Sequence, residues 1–147
     1  MKHWVSDIFT FLFLSFLSVF FPSCKKEIPS PDYPQLIGIW SGSTSQGQEV
    51  KISINNLDGV LYVTYYKLSI AFNSGGQRTI EHYNTDGIAS LVNLYFNIPL
   101  GTGVYGSGFL NGTFNLTTMV LSGSYRCYNP TDPNDYTDGF YTAALTK

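Results

Sequence analysis

The chain has 147 residues, of which 44% are hydrophobic and 12% charged, and its eight Lys and Arg against ten Asp and Glu give a formal net charge of -2. That balance provides no basic stripe of the kind that tracks a phosphate backbone, so nucleic-acid binding has no electrostatic support. Two cysteines and two histidines exclude a disulfide-dense scaffold and leave little material for a zinc site or a hydrolytic triad.

The first element in chain order is the apolar run Ile8 to Phe21, broken only by Thr10 and two serines. It is shorter than the ~20 apolar residues needed to cross a bilayer and suits the central region of a secretory signal peptide. The run ends at Phe21-Pro22-Ser23-Cys24, which resembles the lipobox of bacterial lipoproteins, and the following "CKKE" resembles their mature N-termini. That resemblance implies cleavage after residue 23, acylation of Cys24 (palmitate-type chains), and anchoring in the bacterial cell envelope, with the outer membrane as the expected site. Each buried methylene contributes ~0.8 kcal/mol, so two or three chains make attachment effectively permanent. Lys25 and Lys26 are placed to meet anionic headgroups.

Pro29, Pro31 and Pro34 then mark residues 24–35 as an extended tether that does not join a sheet. At ~3.1 Å per residue it holds the following domain about 35 Å from the lipid surface.

Residues 36–147 are the size of one domain. Their apolar period is two: Val50, Ile52 and Ile54 alternate with Lys51, Ser53 and Asn55, and Val92, Leu94, Phe96 and Ile98 with polar or aromatic neighbours. Half-buried strands follow, and no helical stripe accompanies them. Breaks are expected at 45–48, 55–59, 73–76, 84–87, 99–103, 115–118 and in a long loop at 129–139. They delimit eight strands, so the fold class is all-β, an eight-stranded antiparallel up-and-down barrel, with a two-sheet sandwich as the competitor.

The first strand, "LIGIWSG", carries Gly38 and Trp40 and resembles the Gly-x-Trp opening of lipocalin-like and avidin-like barrels. "GFLNGTFNLTTMVLSGSYRC" and "DGFYTAALTK" are similar to their last strands. The resemblance implies that Trp40 plugs one end of the barrel, and glycine two residues earlier is expected to leave room for the indole. With one tryptophan in the mature chain, a biotin pocket is not supported.

Other patterns carry less chemistry. Gly101-x-Gly103-x-x-Gly106 matches a dinucleotide fingerprint, but strand rather than helix follows it. Asp132, Asp135 and Asp138 lack the spacing of a calcium loop. His82 is expected to be an ordinary strand residue, and Cys127, in the alternation Leu121-Gly123-Tyr125-Cys127, a small buried hydrophobe.

No metal, cofactor or enzymatic activity is expected. The function read from the sequence is binding of a small apolar or aromatic ligand inside the barrel, lined by Trp40, Val50, Ile52, Ile54 and Tyr125. The alternative is a solid barrel that binds a protein partner through its loops, above all 129–139.

Overall fold

The computed structural model describes residues 33–103 and 106–146. The expected signal peptide 1–23, Cys24 and the tether as far as residue 32 lie outside the described residues. Pro34–Leu36 forms a single 3-10 turn in which Leu36, the first residue of the expected domain, is fully buried, while Pro34 and Gln35 at the end of the expected tether are exposed.

Nine strands follow: β1 Gly38–Thr44, β2 Glu49–Leu57, β3 Val60–Ala71, β4 Gln77–Tyr83, β5 Ala89–Ser90, β6 Tyr95–Gly103, β7 Gly106–Asn115, β8 Val120–Asn129 and β9 Asp132–Thr146. All pair antiparallel in one sheet of order β4-β3-β2-β1-β9-β8-β7-β6, with the two-residue β5 beside β3. Strands consecutive in the chain pair with one another except around β5, which shares β3 with β4, and β1 pairs with β9, as the ends of a rolled meander must. The sheet curls into a half-barrel whose margins are β4, continued by β5, and β6.

Period-two patterning places the core on the concave face. Val50, Ile52 and Ile54 of β2 are fully buried, and Leu121, Tyr125 and Cys127 of β8 lie on the same side. On β3 the phase changes: Leu61 and Val63 point inward, and then Tyr66, Leu68 and Ile70 do. The cause is a bulge at Thr64, which has no partner on β2 where Ile54 pairs with Val63 and Ser53 with Tyr65. The bulge also marks where β3 exchanges neighbours. Below it β3 pairs with β5, above it with β4, and the Thr64 carbonyl accepts from Asn84 N between them at 2.9 Å.

Most of the expected turns fall in place, including a two-residue hairpin at Asp58 (φ 52°) and Gly59 (φ 86°). Three expectations shift. The strand expected over Val92–Ile98 begins only at Tyr95, because Asn93 (φ 51°) and Leu94 (φ 65°) make a second left-handed hairpin turn between β5 and β6. That turn leaves Val92 62% exposed. The break expected at 99–103 is strand, and β6 runs on to Gly103, which pairs with Gly106.

The long loop expected at 129–139 is mostly β9. Asn129 caps a tight turn, accepting from Thr131 N at 3.1 Å, and Tyr128 already pairs with Tyr136. Its Pro, Asn and Asp content reads as loop. In three dimensions the alternation of buried Asp135, Thr137 and Tyr141 with outward Tyr136, Asp138 and Phe140 is that of a strand whose buried positions begin polar.

Trp40 sits at the lower end, fully buried, with its Nε1 donating to the Leu36 carbonyl at 2.9 Å. Its ring meets Phe114 edge-on at 4.9 Å between centroids. The space beside Gly38 is taken by Leu145 rather than by the indole: a Cβ at this position would lie 2.9 Å from Leu145 Cδ1, and the backbone has φ +138°. The glycine therefore serves β9 packing and a left-handed backbone, where the sequence suggested room for the indole.

Candidate functional site

Trp40, Val50, Ile52, Ile54 and Tyr125, named from sequence as the ligand-lining set, all lie on the concave face with 0–1% exposure. They belong to one packed cluster with Phe96, Ile98, Leu110 and Leu121. Side chains with no accessible surface border no space large enough for water, so these five hold the interior together. The Tyr125 ring crosses from β8 to its partner Gly139 on β9, and its hydroxyl is buried with no hydrogen-bond partner among the described residues.

The upper end carries the β1–β2, β3–β4 and β8–β9 turns, and side-chain hydrogen bonds tie them together. Gln46 bonds both polar groups of Ala71, donating to its carbonyl at 2.8 Å and accepting from its N–H at 3.0 Å, and also donates to Thr137 Oγ1 at 3.1 Å. Asp135 accepts from Ser74 Oγ and from Asn129 Nδ2, and these bonds hold its carboxyl below the usual carboxylate range. The three aspartates considered for calcium therefore diverge. Asp135 faces this rim, Asp132 accepts from Asn134 N at 3.0 Å, and Asp138 binds Arg126 on the outer face.

The concave face is less completely covered along the margin between β4/β5 and β6. Ile80, Ile88, Ala89, Leu91, Leu94 and Leu100 are only partly buried where they pack against the core. All of them come from β4, β6 or the chain between them. β4 is exposed along nearly its whole length, including the residues that point inward. Arg78, Ile80 and His82 are opposite Ile70, Leu68 and Tyr66 of β3, and side chains of directly opposed residues share a face.

Polar side chains occur at two levels of this margin, Arg78 at its upper end and the His82–Tyr66 pair further down β4. Arg78 Nη1 lies 3.4 Å from the Tyr128 carbonyl and 4.0 Å from Cys127 Sγ, both on β8, so the guanidinium reaches across the concave side. The His82 and Tyr66 rings are 6.1 Å apart. Burial pushes the Tyr66 hydroxyl and the Cys127 thiol above their usual pKa values, with the Arg78 charge opposing the shift in both. Cys127 is consequently a protonated thiol at neutral pH, a poor nucleophile and a small core residue.

The convex face carries two sets of paired charges. Glu49 accepts from Lys51 at 2.8 Å and Lys67 at 2.6 Å, and its pKa is lowered to about 2 by those two bonds. Arg126 grips Asp138 through two nitrogens, at 2.6 and 2.9 Å, and lies 5.1 Å from the Tyr136 ring centre. Phe140, two residues further along β9, is 72% exposed.

Arg78, Ile80 and His82 were not singled out together from the sequence. The available signal was "QRTIEHY", where a lone apolar residue alternates with polar ones, the pattern of a strand at a sheet margin that is half-covered on its inner face. Comparison of the chain with protein-family models, with curated proteins and with solved structures finds no match in any of the three.

Proposed function

We propose that this protein is a lipid-anchored, lipocalin-like barrel of the bacterial envelope that binds a small apolar or aromatic ligand along the β4/β5–β6 margin. The observation that carries this reading is where the incompletely covered apolar surface lies. Ile80, Ile88, Leu91 and Leu100 retain exposure along one margin, while the centre of the concave face is packed shut. Apolar area left open beside a finished core is the area a ligand gains by covering, at ~25 cal/mol per Å². A lipocalin-like closure, with a ligand between the two margins, extends a sheet whose first and last strands already pair. A lipid anchor on Cys24 would keep the domain at the membrane surface, where apolar molecules concentrate.

Native mass spectrometry of the full-length protein purified from its own membrane tests both halves. The expected spectrum shows a chain beginning at an acylated Cys24 and a retained small molecule, which is lost in an Ile80→Asp variant. A product still carrying residues 1–23 without acyl groups defeats the anchor. An unliganded wild-type chain defeats the binding reading.

A further inference from the structure

Four cations lie among the described residues, and three are accounted for: Lys51 and Lys67 pair with Glu49, and Arg126 with Asp138, all on the convex face. Arg78 differs in both respects. It points to the concave side, and among the described residues no carboxylate lies within salt-bridge distance of it. Its recorded contacts, a carbonyl at 3.4 Å and a thiol at 4.0 Å, involve only Nη1. A guanidinium has five N–H donors, so most of its hydrogen-bonding capacity is left over at the upper end of the margin.

A neighbour adds a donor. Tyr66 is 6% exposed, its hydroxyl has no hydrogen-bond partner among the described residues, and it lies close enough to Arg78 for the guanidinium charge to bear on its pKa. His82 stands further along β4, two positions beyond Ile80 on the same inner face, with its ring 6.1 Å from that of Tyr66. Ile80 lies between Arg78 and His82 on β4, Leu100 stands on β6 at the level of Cys127, and Ile88 lies beyond the end of β4, all three only partly covered. The arrangement sets one cation at the upper end of a partly covered apolar margin.

We infer that Arg78, with the Tyr66 hydroxyl near it, forms an anion subsite that recognises the head group of an apolar carboxylate whose body lies along Ile80, Ile88 and Leu100. A monoanion matches the single guanidinium, whose planar fork engages both oxygens of a carboxylate; a phosphate dianion would leave one negative charge uncompensated. The inference rests on the ligand-binding reading above and narrows it to a chemical class.

The test uses the full-length protein in nanodiscs, titrated calorimetrically with 4-phenylbutyrate and with its neutral analogue 4-phenylbutanamide, and with empty nanodiscs as the blank. Wild type is expected to prefer the carboxylate by about tenfold or more, the net worth of a charge-assisted hydrogen-bonded pair. Arg78→Gln is expected to abolish the preference, bringing carboxylate binding down to the level of the amide, and Arg78→Lys to keep part of it. A circular-dichroism melt of each variant verifies that the fold persists. Equal binding of the two compounds by wild type, or an unchanged preference in Arg78→Gln, overturns the anion subsite and leaves the margin as an apolar site. Binding of neither compound overturns both.

Discussion

Trp40 and Tyr125 are the two largest fully buried side chains, and each has one polar atom to satisfy. For Trp40 the 3-10 turn at Pro34–Leu36 presents a carbonyl to the indole N–H, so the ring is buried with its donor paired. Tyr125 gains the same apolar contact by covering Gly139 but leaves its hydroxyl without a protein partner among the described residues.

Glu49 presents the opposite situation at the surface: two lysines lower its pKa from an ordinary 4.5 to about 2. A carboxylate depressed in the folded state contributes stability above its unfolded pKa and loses it as pH falls through the folded one, here between about 4.5 and 2. Thermal unfolding across that interval should show wild type losing stability more steeply than Glu49→Gln. The difference should shrink in 0.5 M salt, because these charges face solvent. Parallel acid limbs for the two proteins would remove Glu49 from the account.

Among elements, the β1–β9 pairing decides the shape, since it joins the β1–β4 half of the meander to the β6–β9 half. Gly42 allows it: a Cβ at this position would run into the backbone of Thr142 and Ala143, which cannot rotate away as a side chain can. We expect Gly42→Ala to cost about 3 kcal/mol or more in urea unfolding, an overpacking penalty at its upper range. A midpoint within experimental error of wild type would show that β1 and β9 separate more easily than the register implies.

β9 also shows how composition can hide an element. Its first half is written in turn residues, and it is strand because β8 offers a full ladder from Asn129 down to Val120. β5 and the start of β6 show the reverse. Val92 and Leu94 look like continuing strand, yet the chain must reverse there, and Asn93 tolerates the left-handed conformation that lets it.

At the scale of the whole molecule, the half-barrel distributes protection unevenly. Strands β1, β2 and β9 lie mid-sheet, hydrogen-bonded on both sides, whereas β4 is a margin and exposed along nearly all its length. Hydrogen exchange of the full-length protein should reflect this, with amides of β1 and β2 the slowest and those of β4 and β5 exchanging through local opening well below the global unfolding free energy. Equal protection of β4 and β1 would mean that the margin is covered in solution, and the ligand reading would have to move elsewhere.

An all-β chain with an inward face of Val50, Ile52, Ile54, Leu121, Tyr125 and Cys127 was legible from residue order, because a period of two is a local property imposed by the pleat and needs no distant partner. Most turns were legible for the same reason: Asp-Gly and Gly-Gly pairs state their backbone preferences within two residues. Which strands stand at the margin was not, since order in a sheet depends on pairings between residues far apart in the chain, such as β1 with β9. The candidate site inherits that dependence. Arg78 is one basic residue among several in the sequence, and only the curl of the sheet turns it inward toward Tyr128 and Cys127 of β8 while the other described cations find carboxylates on the convex face.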